Sequence, residues 1–168
     1  MFCRIILLIA VALVAVLAGG CETRVESKRH PLTDSGLAPS PEHSLLCNDC
    51  QLVDVTGVID GDTLDTSMGR VRLFGVDTPE RGKSCFQEAT DFTRMAAGSK
   101  VRIETGPRRT DSYGRRLAYV YDSSGDSIDA QLISGGFAVA WTRDGQHRDY
   151  LTSLEENARR TRTGCLWK

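Results

Sequence analysis

Histidine is nearly absent from this chain: three stand in 168 residues, His30, His43 and His147. No two share a spacing that suits a zinc site or a paired-imidazole acid–base couple. An excess of positive charge is missing too. The 21 Lys+Arg meet 22 Asp+Glu, and from Gln51 to Lys168 the two signs balance at 17 each. A protein that grips a polyanion by bulk charge is strongly basic. Any phosphate affinity here must therefore come from local arginine placement and a bound cation. Nor is there a long apolar run. Ile5–Leu17 has 13 residues, short of the roughly 20 that a bilayer helix needs.

That run does fit a secretory signal over residues 1–20, with Arg4 ahead of it and small residues behind. Ala18-Gly-Gly-Cys21 resembles a bacterial lipoprotein cleavage box with Cys21 as the acylated residue, although Ala18 stands where Leu is usual. Residues 21–50 then read as a lipidated cysteine and a flexible tether. Pro31, Pro39 and Pro41 lie there among Ser, Thr and charges, without apolar periodicity. About 28 tether residues reach roughly 30 Å. The expected protein is extracytoplasmic and membrane-anchored, with one folded domain at 51–168.

Within that domain, Val53 to Ile59 suggests a strand and Asp60-Gly61-Asp62 a turn into Thr63–Thr66. After a second turn at Ser67–Gly69, Arg70–Val76 reads as one strand, with further strands at Lys100–Glu104 and Leu117–Tyr121. Ser84-Cys-Phe-Gln87 has the form of a capping box. Ala89, Phe92, Thr93 and Ala96 follow at helical spacing and Gly98 ends the segment. A short helix is expected at Asp129–Ser134. A last one, about His147 to Arg162, turns Leu151, Leu154 and Ala158 inward. Strands and helices without βαβ alternation make this an α+β chain.

Three clusters carry chemistry. Val58-Ile-Asp-Gly-Asp-Thr-Leu64 offers Asp60 and Asp62. Arg72-Leu-Phe-Gly-Val-Asp-Thr-Pro-Glu80 offers Arg72, Asp77, Thr78 and Glu80. Arg109-Thr-Asp-Ser-Tyr-Gly-Arg115 offers Asp111, Tyr113 and Arg115. Singly, each has a bland reading: Asp-Gly is a turn, a loop Glu is solvated, a surface Arg is solvated. Together they bring hard oxygen ligands for a divalent cation and two guanidiniums able to donate paired hydrogen bonds to phosphate. Arg72 is the more telling arginine, because it interrupts an apolar strand where an unpaired charge is costly. An EF-hand is excluded, since its Gly and Glu positions hold Asp65 and Val71. The set points to metal-assisted phosphodiester cleavage.

In order and spacing the three clusters resemble the staphylococcal nuclease (thermonuclease) family, from about Val53 to Trp167. The resemblance implies a five-stranded OB-fold β-barrel with three α-helices, and a Ca²⁺-dependent endonuclease acting on DNA and RNA with little sequence specificity, leaving 3′-phosphorylated ends. It implies that Asp62, Asp77 and the Thr78 carbonyl ligate Ca²⁺, with Asp60 in support. Glu80 would act on the attacking water, and Arg72 and Arg115 would clamp the phosphate. Tyr113, Asp111 of the same turn, and Trp141 are the expected substrate contacts, Trp141 having core packing as its other reading. Ser112 replaces a frequent lysine and the segment after Glu80 is short, so two basic contacts are missing. The alternative is a non-catalytic nucleic-acid or protein binding module of the same fold. Such a copy should lack one of Arg72, Asp62, Asp77, Glu80 or Arg115, and all five are present. A monomer is expected.

With Cys3 in the signal and Cys21 acylated, Cys47, Cys50, Cys85 and Cys165 remain, an even number for an oxidising compartment. Three pairings are open. Cys47–Cys50 as a local clip and Cys85–Cys165 as a long-range tie are the expected ones. Cys47-Asn-Asp-Cys50 as a zinc half-site lacks any second pair at zinc spacing.

Overall fold

A computed structural model describes residues 44–168; the signal segment, Cys21, and most of the tether, including His30 and His43, lie outside the described residues. Strands β1 (Gln51–Asp60), β2 (Thr63–Thr66), β3 (Gly69–Leu73), β5 (Lys100–Thr110) and β6 (Arg116–Tyr121) close into a barrel in the order β1-β2-β3-β6-β5. Four of its ladders are antiparallel, and β3 runs parallel to β6 with Val71 opposite Arg116. Three helices accompany it: α1 (Phe86–Ala97), α2 (Ile128–Ser134) and α3 (Arg148–Thr161). The α+β, OB-type barrel implied by the resemblance is the fold observed. Inward strand positions such as Leu64, Val71, Leu73, Val101 and Val120 are fully buried, following the period of two that a one-sided sheet requires. Ile128, Leu132, Ile133 and Leu151 from α2 and α3 complete the core.

Three local expectations are corrected. The Ser84–Gln87 capping box does not form. The residue that caps α1 is Cys85, in the left-handed region at φ 72°, with no side-chain cap bond. Cys85 is tied to Cys165 by a disulfide, and that covalent constraint overrides the local capping signal. Arg70–Val76 is not one strand either. β3 ends at Leu73, and a separate short strand β4 (Val76–Asp77) pairs with β7 (Val139–Ala140), which the pattern did not announce. The break occurs where Arg72 donates to the carbonyls of both Leu73 and Val76, drawing the chain back on itself. Third, β5 runs on to Thr110, six residues beyond the expected end at Glu104. On α3, Leu151 and Ala158 are buried, while Leu154 is only partly covered.

Helix α2 is capped by Ser127, whose side chain accepts from the Ala130 N–H, satisfying one orphan donor. Both expected disulfides, Cys47–Cys50 and Cys85–Cys165, are present. Residues just ahead of β1 are already seated, since Cys47 N donates to Gly125 O and Ser127 N to Leu45 O. No helix among the described residues is long and apolar enough to cross a membrane.

Candidate active site

The rim of the barrel where β1 turns into β2 faces the β3–β4 break. Asp62, in the β1–β2 turn, is almost fully buried, and its Oδ2 accepts from both the N–H and the hydroxyl of Thr78, at 3.0 and 2.9 Å. Its Oδ1 accepts from the Thr63 hydroxyl at 3.1 Å. Thr78 thus fixes Asp62 directly, a role its sequence position did not reveal. Asp60 accepts from the Asp62 N–H at 3.2 Å, which tightens the turn. Gly61 between them is obligatory: a Cβ there would lie 2.9 Å from side-chain carbons of both Ala89 and Thr78. The same residue's carbonyl accepts from Thr93 of α1 at 2.6 Å, so the helix packs on the acidic turn.

Arg72 joins the two carboxylates. Its Nη2 lies 2.7 Å from Asp77 Oδ1 and 3.2 Å from Asp62 Oδ2. Its Nη1 donates to the carbonyls of Leu73 and Val76 at 2.7 and 2.9 Å. The side chain is 13% exposed, so this charge is buried, with both terminal nitrogens engaged and the Nε–H without a partner among the described residues. Asp77 remains half-exposed, with one oxygen toward solvent.

The electrostatics show an excess of negative charge. Burial raises the pKa of Asp60, and the charge of Asp62 raises it further. Burial likewise raises Asp77, with Asp62 adding to the rise and Arg72 opposing it. One guanidinium does not neutralise three carboxylates, and a divalent cation would. The donors are all oxygens, as a hard cation requires. Among the described residues, no three His, Cys, Asp or Glu side chains are gathered closely enough to enclose a metal by themselves. The arrangement therefore suits an open site completed by carbonyl and water oxygens, and the residues present fit such a cation.

An open cleft of about 740 Å³ unites these groups with the remaining candidates: Glu80, Asp111, Tyr113, Arg115 and Trp141 all line it beside Asp60, Asp62, Arg72 and Asp77. Glu80 is exposed at its edge, on the Asp77–Thr78–Pro79 segment. Arg115 is held by Asp111, whose Oδ2 accepts from its Nε at 2.6 Å while Oδ1 accepts from the N–H groups of Tyr113 and Arg115. Burial works against that carboxylate, but the Arg115 guanidinium and the two backbone donors outweigh it and lower the pKa of Asp111. Asp111 is thus the buttress of Arg115, whose guanidinium also lies 5.5 Å from the Tyr113 ring centre. Tyr113 is 84% exposed, free to meet a nucleotide. Trp141 is half-buried in the wall, its indole N–H donating to Asp144 and Arg143 lying 5.0 Å over its ring. Arg143 and Asp144 are additions to the sequence-derived set. Neither had a motif to mark it, because both reach the cleft through the non-local β4–β7 pairing.

A closed five-stranded barrel with carboxylates and arginines gathered in one cleft at its rim defines a class: an OB-type barrel equipped to handle phosphodiesters. The chain belongs to the staphylococcal nuclease family, with residues 70–168 matching the family described as staphylococcal nuclease homologue. It is 36% identical to a thermonuclease of Staphylococcus hyicus over 145 residues, covering 80% of this chain and 78% of that one. A thermonuclease of Staphylococcus intermedius is 33% identical, covering 68% and 74% of the two chains. An uncharacterized endonuclease of Escherichia coli O157:H7 is 29% identical, covering 67% and 74%. The protein is accordingly a nuclease, an enzyme whose substrates are nucleic acids.

Proposed function

We propose that this nuclease is a Ca²⁺-dependent endonuclease that cuts DNA and RNA with little sequence preference and leaves 3′-phosphorylated ends. The observation that carries the reading is the convergence of Asp62 and Asp77 on one Arg72 nitrogen, within 3.2 Å, in a cleft that Glu80 and Arg115 also line. Asp62, Asp77 and the Thr78 carbonyl are the residues that would hold the cation, with Asp60 in support. The cation supplies charge neutralisation and Lewis-acid polarisation at the phosphate oxygens. Arg72 and Arg115 approach the phosphate from two sides, donating to oxygens on which charge accumulates at five-coordinate phosphorus. Glu80 orients the attacking water and accepts its proton. Tyr113 and Trp141 contact the nucleotide without selecting a base, since every base offers a π-face.

The domain acts outside the cytoplasm as a monomer, tethered through a lipidated Cys21; the support for this is the apolar run ending in Ala-Gly-Gly-Cys. Incubation of the purified chain with single-stranded DNA and RNA tests the catalytic part. Cleavage with Ca²⁺ that stops in excess chelator is expected, and Arg115→Ala should lower turnover by about 10²–10³. Undiminished cleavage in chelator would overturn the cation's role.

A further inference from the structure

The β5–β6 hairpin carries five arginines; Arg102 donates to the Ser123 and Cys50 carbonyls away from the turn, and of the other four only half face the catalytic cleft. Arg108 and Arg115 line that cleft, whereas Arg109 and Arg116 line a separate groove of about 560 Å³ together with Arg70. Neighbouring residues of an extended chain point to opposite faces, so the pairs 108/109 and 115/116 divide between the two sides. What groups the second set is the groove itself, which Arg70, Arg109 and Arg116 all line, with Arg116 set against Val71 of β3 and Thr110 of β5. Arg70 is held by a two-pronged bond to Asp65. Arg109 and Arg116 make no ion pair among the described residues. Both are exposed, so two guanidiniums without an ion pair line one groove. It suits an anionic partner.

We infer that this groove is a second phosphate-binding track, which holds the flank of a single-stranded nucleic acid while the scissile phosphate lies in the acidic cleft. The inference rests on the proposed function for the position of the scissile phosphate, but the groove itself is defined independently. Leu117 lines both cavities, so they stand back to back on one hairpin. A strand leaving the cleft has to fold sharply around that hairpin to reach the groove. Single-stranded nucleic acid can do so; duplex DNA, with a persistence length of about 50 nm, cannot. Ile103, Leu117 and Ala118 back the groove as buried residues, and the exposed Arg109 and Arg116 take the phosphates. Such a track compensates for the loss of a basic contact at Ser112 in the cleft. It also explains how a chain with no net positive charge retains a polyanion.

The test is binding of a labelled 20-nucleotide single strand and of a trinucleotide to the full-length protein in chelator, over 50–200 mM NaCl. Cleavage of both is then measured with Ca²⁺. For Arg109→Ala/Arg116→Ala, the 20-mer should bind about tenfold more weakly at 50 mM salt. Its log–log salt slope should be shallower by about 1.4, two phosphate contacts at about 0.7 each. The trinucleotide, which the cleft alone accommodates, should bind and be cut as by the wild type. Arg109→Lys/Arg116→Lys should restore most of the salt slope, because a point charge suffices for screening-sensitive attraction. Equal weakening of both ligands, or an unchanged 20-mer slope, overturns the track. So does a variant that keeps its 20-mer affinity and loses instead its binding to vesicles of one-third phosphatidylglycerol, which would reassign the groove to a lipid surface. A wild type that binds the 20-mer through these arginines without cutting it leaves the track standing and overturns the proposed catalysis instead.

Discussion

Arg72→Lys is the substitution that tests the site most severely, because it preserves charge and removes only geometry. Arg72 makes four contacts with two nitrogens: two carbonyls through Nη1, and Asp77 and Asp62 through Nη2. The acceptors lie on two sides of a planar fork. One ammonium can serve the carbonyls or the carboxylates, not both. Each hydrogen bond to a charged group contributes about 1.5–3 kcal/mol. Losing two of them, with some replacement by water, should cost about 2–4 kcal/mol of folding stability. A domain of this size starts from about 5–15 kcal/mol, so the variant remains mostly folded and its catalysis can be measured. The rate should fall by about 10²–10³, the usual effect of removing one preorganised contact to the transition state. Urea unfolding followed by circular dichroism gives the first quantity, and steady-state cleavage with Ca²⁺ gives the second. A midpoint within 0.2 M of wild type and kcat/KM within about fivefold would show that the fork geometry is immaterial, and the clamp would have to be abandoned.

Three further outcomes are expected. Burial works to raise the pKa of Glu104, but hydrogen bonds from Tyr121, Gln146 and His147 outweigh it and the net shift is downward. Its contribution to stability is therefore present above the unfolded-state value of about 4.5 and is lost as pH falls through the lower folded-state value. Urea titrations from pH 6 to pH 3 should show a steeper acid loss in the wild type than in Glu104→Gln, and parallel curves would refute the linkage. Reduction of Cys85–Cys165 opens a loop with a sequence separation of 80, worth up to roughly 4 kcal/mol; a melting temperature unchanged by dithiothreitol would contradict that contribution. Cys21→Ser expressed in a bacterium should abolish metabolic incorporation of labelled palmitate, and retained label would refute acylation at that residue.

Where periodicity was strong, the sequence was a sound guide. The alternation through β1 to β3 and the i, i+3, i+4 spacing in α1 and α3 each announced the element that forms. Local signals failed where a distant contact decided the outcome. Ser84 and Gln87 satisfy the capping pattern, yet the disulfide to Cys165 twists Cys85 into the left-handed region and displaces the cap. The Arg70–Val76 run looks continuous because its interruption is made by a side chain, Arg72, bonding to its own backbone. Barrel closure depends on the parallel β3–β6 pairing, which joins segments some 45 residues apart and leaves no mark in either. The candidate site residues, which line one cleft, stood out in the sequence for a different reason. Carboxylates and arginines of this density on short strands have few structural uses, and their order along the chain matches a known family.

What remained hidden was the support of the rim. Asp77 has to stand beside Asp62 despite their like charge, and the short segment Leu73–Thr78 sets its position. Three buried anchors hold it. Arg72 grips its carbonyls from within. Asp129, fully buried at the start of α2, accepts from Gly75 N at 2.8 Å and Val120 N at 3.0 Å, tying the segment to β6. Its burial pushes the carboxyl up to about 6, a cost tolerated for the sake of position. Gly75 has to be glycine there, since a Cβ would lie 2.4 Å from Leu151 and 2.9 Å from that same carboxylate. Glu155 of α3 supplies the third anchor, accepting from Ala140 N at 2.7 Å and so steadying β7, whose Val139 pairs with Asp77. Neither Asp129 nor Glu155 belongs to the three clusters read from the sequence. Both belong to the acidic cleft in the sense that they fix where its carboxylates stand, so the helices of this fold are part of the proposed cation site.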